Sequence, residues 1–158
     1  MSSRNAIGQV SSRLKASDSV LFITGAGLSA DSGIPTYRSV GGLYDVDDTS
    51  EGLPIEELLS GEMLQSEPEV TWKYLAQIAD ACQGATFNRS HQLIAQFEYA
   101  LPRTWVLTQN VDGFHRAAGS SNVIDIHGDM HDLYCPVCEW QEHVEDFEEL
   151  ETDLATWV

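Results

Sequence analysis

The sequence predicts an α/β fold: a Rossmann-like parallel sheet with a helical insertion and the start of a smaller module towards the C-terminal end. Short apolar runs alternate with stretches of helical periodicity, and a glycine-rich turn follows the first of these runs. The length of 158 residues is enough for one domain with a core, or for one large and one small module. The expected segments are 1–41 (first Rossmann-like units), 42–85 (a loop and the helical insertion), 86–130 (the Rossmann-like continuation) and 131–158 (the small module).

The N-terminal half is expected to begin with an amphipathic helix, because apolar residues recur at helical spacing between residues 3 and 16. The apolar run SVLFIT at 19–24 predicts a buried parallel strand. The stretch GGLYDVDDTSEGLP at 41–54 is rich in Gly and Asp and has no apolar period, which is typical of a mobile loop. Three helices are then predicted, at 54–60, at 68–82 and at about 89–100.

Two more strands are predicted in the second half of the chain. TWVLT at 104–108 is a second buried apolar run, a short helix is expected at 112–118, and NVIDIHG at 122–128 gives a third strand. From Asp132 onward the sequence is acidic and only weakly periodic. The alternation of strands with helices favours a parallel sheet over other α and β arrangements.

The charge of the chain restricts its partners. There are 25 acidic residues and eight basic ones, and the formal net charge is −17. Such a surface repels nucleic acid phosphates and anionic membranes, so we expect neither as a direct partner, whereas a cationic polypeptide is compatible with it. No apolar run approaches the ~20 residues of a membrane span, and the N-terminus has no apolar signal core, so a cytoplasmic protein is expected.

The turn after the first predicted strand has the spacing of a dinucleotide-binding turn. It runs Gly25-Ala26-Gly27-Leu28-Ser29-Ala30 and fits the pattern G-x-G-x-x-G/A between a strand and a helix. Its glycines allow the backbone to approach a pyrophosphate, and the helix N-terminus offers N–H groups and a partial positive charge. The acidic residues about 20 positions later, in LYDVDDTS, do not lie on a predicted strand, which counts against an ordinary dehydrogenase.

The three cysteines are divided between two roles. Cys135 and Cys138 form a Cys-x-x-C pair in a chain without an export signal, which favours a metal pair or a redox dithiol over a disulfide scaffold. Their spacing is that of one half of a tetrahedral zinc site. Cys82 is expected to be a core residue of its helix.

Four motifs together resemble one family. GAGLSADSGIPTYRS at 25–39, TQNVDGFHRAAG at 108–119, IHG at 126–128 and CPVC at 135–138 occur in the order and spacing of the sirtuins, over about residues 5–140. The resemblance implies an NAD-dependent protein lysine deacetylase, which transfers the acyl group from lysine to ADP-ribose and releases nicotinamide. It also implies an acyl-lysine protein or peptide as substrate, and NAD and a structural Zn²⁺ as the cofactors.

The resemblance also implies roles for individual residues. Gly25, Ala26 and Gly27 would hold the diphosphate, with Ser29 in the same turn, and Gln109, Asn110 and Asp112 would line the nicotinamide and ribose pocket. Asn110 would hydrogen-bond ribose hydroxyls or an ordered water, and His127 would be the general base. A mobile cofactor-binding segment would comprise Pro35, Thr36, Tyr37 and Arg38, where the family commonly has Asp-Phe-Arg in place of Thr-Tyr-Arg.

The small module is expected to be an incomplete zinc module. Sirtuins have a second Cys-x-x-C pair, and no cysteine follows Cys138 here; His131 and His143 are the alternative ligands in the sequence. The family's C-terminal sheet strands are also missing from the sequence. We therefore expect a truncated gene product, an incomplete reading frame or a fragment.

The acyl preference can also be compared with the family. Members that prefer negatively charged acyl groups have a Tyr-x-x-Arg pair on the insertion helix. Here Tyr74 is followed by Gln77, and no arginine occurs between Ser39 and Asn88. This favours acetyl or another neutral acyl group over succinyl.

Other functions are kept as alternatives. An ADP-ribosyltransferase or NAD hydrolase could use the same fold, although hydrolysis has no need for the base His127. A truncated, non-catalytic paralogue could bind a partner through its acidic tail, and a plain NAD oxidoreductase lacks the expected ribose-binding acid. His91 and His115 lie on predicted helices and are expected to be structural.

Overall fold

A three-stranded parallel sheet forms the centre of the fold. The computed structural model describes residues 3–15, 19–36, 49–101, 103–135 and 137–144. Within these ranges the strands are β1 (Val20–Thr24), β2 (Thr104–Thr108) and β3 (Val123–Asp125), in the order β1-β2-β3. The predicted α/β parallel sheet is therefore confirmed. Most of the expected mobile loop, with Tyr37 and Arg38, lies outside the described residues.

The remaining elements are seven helices, a 3₁₀ turn and a hairpin, counted over the described residues. The predicted helices at 68–82 and 89–100 are confirmed to the residue. The elements are α1 (Ser3–Arg13), α2 (Ala26–Ser29), the 3₁₀ turn Ala30–Ser32, α3 (Ile55–Leu58), α4 (Gly61–Ser66), α5 (Pro68–Cys82), α6 (Arg89–Ala100), α7 (Phe114–Ala117), and the strands β4 (Asp132–Tyr134) and β5 (Gln141–His143).

One face of the sheet packs on α6. The inner side chains Val106 and Val123 form a core with Ile94 of α6, and Phe22 packs against it. The outer face is not covered in the same way, since Ile23 is 69% exposed. The prediction that the strands are buried on both faces is therefore wrong for the outer face, which carries the exposed side chains Leu21, Ile23, Trp105 and Ile124.

The third strand is shorter than predicted. Its ladder with β2 ends at the pair Thr108–Asp125, and the chain then turns through residues 126–127. Gly128 has a φ of 81°, which favours glycine, and its N–H donates to the Asp125 carbonyl at 3.1 Å. The last part of NVIDIHG is therefore a turn that directs the chain away from the sheet.

A second core lies among the insertion helices. Leu58 of α3 is fully buried with Ile55, and both pack against Tyr74 and Ile78 of α5. The helix α4, which the sequence analysis did not predict, is capped by Ser60, whose hydroxyl accepts the Met63 N–H at 3.1 Å. This core shares no residue with the core between α6 and the sheet.

The small module contains an antiparallel hairpin that was not predicted. Strands β4 and β5 pair from Asp132–His143 to Tyr134–Gln141, and the Cys135 N–H donates to the Trp140 carbonyl at 2.8 Å. Among the described helices, none is both long and apolar enough to cross a membrane.

Candidate functional site

The predicted site residues converge because three parallel strands end at one edge of the sheet. Thr24 pairs with Thr108, and Thr108 pairs with Asp125, so the segments after β1, β2 and β3 start side by side. The Gln109 N–H also donates to the Thr24 carbonyl at 3.1 Å. Ligand sites of open parallel sheets lie outside this edge.

The glycine turn follows β1 directly. Gly25 is extended, with a φ of −156°, and no side chain caps the helix that follows. A Cβ placed on Gly25 or on Gly27 would meet no atom within 4 Å, so this side of the turn is open to a ligand. The helix after the turn, α2, has only four residues and is followed by the 3₁₀ turn. Because so short a helix has a small dipole, the backbone N–H groups of the turn itself are the main groups that can bind an anion.

A buried hydrogen-bond cluster lies below this turn. The Ser29 hydroxyl donates to Asp112 Oδ2 at 2.5 Å, and the Asn110 amide donates to Ser29 Oγ at 2.9 Å and to the Gly25 carbonyl at 3.2 Å. The Phe114 N–H donates to Asp112 Oδ1 at 3.1 Å. All three polar side chains are buried. Because the amide protons of Asn110 are both used, its side-chain oxygen is the atom that can accept a hydrogen bond from a ligand.

A cavity of about 690 Å³ opens in front of these residues. One wall is polar and includes Gln109, Asn110 and His127, so the structure brings together residues from the second and third motifs. The other wall is apolar and comes mainly from α5, through Trp72, Leu75, Ala76 and Ala79. Among the described residues, no Lys or Arg lines the cavity. Four carboxylates do: Glu56, Asp80, Asp129 and Asp132.

His127 reaches the cavity from the turn after β3. It is exposed and lines the cavity together with Asn110 and Val111. The Met130 N–H donates to the Val111 carbonyl at 2.9 Å, which ties the segment after His127 to the segment after β2. An exposed imidazole on such a turn is placed to exchange a proton with a ligand in the cavity.

A second, smaller pocket of about 30 Å³ lies next to Asp112. Three residues that were expected to bind the cofactor, Ser29, Pro35 and Asp112, line this pocket, whereas Thr36 is half-buried and lines neither cavity. Cys82 also lines this pocket, so it lies at the site rather than only in the core of its helix. The sequence placed Cys82 on the last turn of α5, but it did not show that this turn lies beside Asp112.

The thiol of Cys82 is expected to be unreactive in the folded chain. Burial, with the charge of Asp112, raises the pKa of this thiol from 9.0 to about 11, so it carries far less thiolate than an ordinary cysteine. We expect alkylation of Cys82 by iodoacetamide about a hundredfold slower than alkylation of the exposed Cys138. Peptide mass spectrometry over time measures both rates, and guanidinium-unfolded chain is the control in which they should be similar. Equal rates in the folded chain would contradict this placement.

The cysteine pair lies in the β4–β5 connection. Backbone N–H groups of Cys138 and Val137 hold the pKa of Cys135 below its usual value. Among the residues that the structure describes, no group of three or more His, Cys, Asp and Glu side chains is arranged to hold a metal. The alternative set with His131 and His143 is therefore not assembled. Each of these rings instead places Nδ1 against a carboxylate, Asp129 at 2.6 Å and Asp132 at 2.7 Å.

Tyr74 does not lie in the cavity. It is 2% exposed, packs in the helical core, and its hydroxyl donates to Glu51. Its neighbour Leu75 lines the cavity instead. Tyr74 therefore lies in the core and not at the cavity wall, because adjacent residues of a helix point about 100° apart.

The fold and the arrangement at the strand ends define the class of the protein as a Rossmann-like α/β domain. The chain belongs to the Sir2 family, whose model matches residues 25–156. It is 54% identical over 136 residues to NAD-dependent protein deacylase 2 of Pseudomonas syringae pv. tomato, covering 85% of this chain and 54% of the relative. It is 52% identical over 140 residues to the protein of the same name from Pseudomonas aeruginosa, covering 87% of this chain and 54% of the relative.

Solved structures give the same family. A Sir2 homologue in complex with NAD is 36% identical, with a TM-score of 0.67 over 83% of this chain and 49% of that one. A Sir2 mutant with a deacetylated p53 peptide and 3'-O-acetyl-ADP-ribose is 28% identical, with a TM-score of 0.74 over 96% of this chain and 58% of that one. The chain thus spans about half the length of the curated relatives it matches. These comparisons do not favour a non-catalytic paralogue or another NAD enzyme.

Proposed function

We propose that this chain carries the NAD-binding and base-bearing part of a protein lysine deacylase. The observation that carries the proposal is the buried cluster of Ser29, Asn110 and Asp112, whose member Asn110 lines the cavity together with His127. Buried polar groups that converge on a cavity are typical of a ligand site. The relatives are named NAD-dependent protein deacylases, which supports this assignment.

The residues present fit NAD. The open side of the turn Gly25–Gly27 accepts a diphosphate against backbone N–H groups, with Ser29 fixing the turn from below. Asp112 lines the small pocket that suits the nicotinamide carboxamide, beside Pro35. Thr36, Tyr37 and Arg38 continue this segment and complete the proposed cofactor-binding set, although Tyr37 and Arg38 are not among the described residues.

The reaction needs no protein nucleophile. When bound, NAD would supply the electrophilic C1′ of its nicotinamide ribose, which the acyl-lysine amide oxygen would attack as nicotinamide departs. Gln109 and Asn110 would orient the ribose side of the site, Asn110 through its side-chain oxygen. His127 would take a proton from a ribose hydroxyl, so that this oxygen could attack the acyl-bearing carbon.

The cavity lining supports a neutral acyl group on the substrate lysine. The α5 wall is apolar, through Trp72, Leu75 and Ala79, and the carboxylates at the cavity disfavour an anionic acyl group. The same carboxylates suit a cationic peptide segment around the modified lysine. Acetyl and other uncharged acyl groups are therefore the proposed substrates, and succinyl is disfavoured.

The cysteine pair is proposed as two zinc ligands. Cys135 and Cys138 have the spacing for one side of a tetrahedral site, but the described residues supply no further ligand, so a complete site does not fit them. We assign no step of the reaction to a metal. The four segment boundaries, a cytoplasmic location and the absence of nucleic acid partners stay predictions from the sequence.

Titration calorimetry of the 158-residue chain tests the proposed function. We expect saturable binding of NAD, and about tenfold weaker binding by Asp112→Asn, because the variant removes the carboxylate from the small pocket proposed for the nicotinamide carboxamide. Affinity for ADP-ribose, which lacks nicotinamide, should stay within about threefold.

The matched control is Asp31→Asn, which makes the same charge change at an exposed site close to the turn. It should leave both affinities unchanged. Absence of NAD binding by the unsubstituted chain would contradict the proposal for this chain. Equal loss of NAD and ADP-ribose affinity in Asp112→Asn would remove the nicotinamide assignment of Asp112.

A further inference from the structure

Two buried histidines lie side by side behind the cofactor turn. His91 of α6 is 0% exposed and His115 of α7 is 2% exposed, and their ring centroids are 5.0 Å apart at an angle of 69°. Each ring has one nitrogen with a partner and one without among the described residues: Nε2 of His91 and Nδ1 of His115 are unpartnered. Buried polar atoms are nearly always hydrogen-bonded, so the two orphaned nitrogens call for a common explanation.

The existing hydrogen bonds fix the proton on each ring. The Asn88 N–H donates to Nδ1 of His91 at 3.2 Å, so a neutral His91 carries its proton on Nε2. Nε2 of His115 lies 2.9 Å from the Thr24 hydroxyl. If His115 carries its proton on this nitrogen, its Nδ1 is a buried acceptor without a partner among the described residues, on the ring next to the unpartnered His91 donor.

Both ends of this series contact the segment that carries the glycine turn. Thr24 is the last residue of β1, directly before Gly25. At the other end, the Asn88 amide donates to the Leu28 carbonyl at 2.7 Å and to the Ser32 hydroxyl at 3.0 Å. The residues before and after the turn are therefore held by one set of side chains on α6 and α7.

We propose that His91 and His115 are positioning residues that hold the cofactor turn through a single directed series of hydrogen bonds. The series runs from the Asn88 N–H to His91, from His91 Nε2–H to His115 Nδ1, and from His115 Nε2–H to Thr24. The middle bond is the proposed one, since neither of its two nitrogens has another partner among the described residues. The functional part of this inference rests on the proposed NAD site, whereas the proton positions do not.

The series requires both rings to be neutral. A proton added to His91 Nδ1 would point at the Asn88 N–H. A proton added to His115 Nδ1 would point at the His91 Nε2–H. In either case two hydrogen-bond donors would face each other and the bond would be lost. Burial lowers the pKa of His115 from 6.5 to about 4, assisted by His91 and opposed by the charges of Asp112 and Asp125. Burial also lowers the pKa of His91, again opposed by Asp112.

The sign of the pH effect follows from these shifts. Between about pH 6.5 and about pH 4 the unfolded chain takes up a proton at His115 that the folded chain does not. The contribution of this ring to stability is complete above about pH 6.5 and is lost as the pH falls towards 4.

Two-bond ¹H–¹⁵N NMR of the ¹⁵N-labelled chain reads the tautomer of each imidazole and needs no cofactor. We expect both rings in the Nε2–H form, with the His115 signals unchanged from about pH 8 to about pH 5.5. The variants His91→Gln and His115→Gln assign the signals. An Nδ1–H tautomer at either ring, or titration of His115 above about pH 6, would overturn the proposal.

Calorimetry with NAD tests the positioning role. His115→Phe keeps the ring volume and removes both nitrogens, so we expect about tenfold weaker NAD binding. His115→Gln can accept from His91 and donate to Thr24, so it should retain affinity within about threefold. Equal loss in both variants would show that only packing matters and would overturn the positioning role. If the unsubstituted chain binds no NAD, the proposed function and the positioning role fail for this chain, and the NMR result still decides the proton positions.

Discussion

Replacement of His127 by alanine is expected to lower the rate of deacylation by about 10²–10⁴-fold, the usual contribution of a general base. His127 is exposed and lines the cavity beside Asn110, but it takes no part in the buried cluster that holds the turn. Affinity for NAD should therefore change by no more than about threefold. Mass spectrometry of an acetyl-lysine peptide with NAD and the chain gives the rate, and calorimetry gives the affinity.

The matched control for this experiment is His143→Ala, which removes another exposed imidazole. His143 lies on β5 and pairs with Asp132 rather than lining the cavity. The His143→Ala chain should deacylate the peptide at the same rate as the unsubstituted chain. Similar rates for the two variants would remove His127 from the chemistry. Absence of NAD-dependent deacylation by the unsubstituted chain would contradict the activity proposed for it.

The substitution Leu58→Ala is expected to have the largest effect on stability. Leu58 is fully buried between Ile55 and the α5 side chains Tyr74 and Ile78, and its backbone carbonyl accepts the Thr71 hydroxyl at 2.8 Å. Removing a buried leucine side chain lowers the free energy of unfolding by about 2–5 kcal/mol through lost burial and the cavity left behind. Urea titration followed by circular dichroism, in the absence of NAD, measures the free energy of unfolding of both chains.

Leu64→Ala is the control with the same chemistry. Leu64 lies on α4 and is 42% exposed, so its removal should cost no more than about 1 kcal/mol. Equal destabilisation by the two substitutions would contradict the separate helical core around Leu58.

The fold was predictable for elements whose sequence shows a regular spacing of apolar residues and recognisable first and last residues. Pro68 begins α5 and Asn88 caps α6, and both helices are long enough for the apolar period to repeat. The helix α4 has six residues and the hairpin strands have three each, which is too short for a period to be distinguished from chance. Strand β3 ended early because Gly128 takes a left-handed turn that an apolar pattern does not encode.

The site was predictable from motifs and less so from periodicity. The cluster of Ser29, Asn110 and Asp112 joins residues about 80 positions apart, and only the shared motif order placed them together. Tyr74 and Leu75 are adjacent on α5, yet one packs in the core and the other lines the cavity, and the motif alone does not distinguish the two faces. The contact between His91 and His115 depends on the packing of α6 against α7, for which neither local sequence contains a signal.

The exposed outer face of the sheet also affects how copies of this chain behave together. Leu21, Ile23, Trp105 and Ile124 present an apolar surface, while the chain as a whole has a net charge of −17. The apolar surface thus favours association of copies, and the negative charge opposes it. Electrostatic repulsion reaches about 8 Å at physiological ionic strength and only about 3 Å at 1 M salt, whereas apolar attraction is not screened. Ionic strength therefore controls whether copies of the chain associate. Added salt screens the repulsion between acidic groups within one molecule, and it equally screens the repulsion that keeps separate molecules apart.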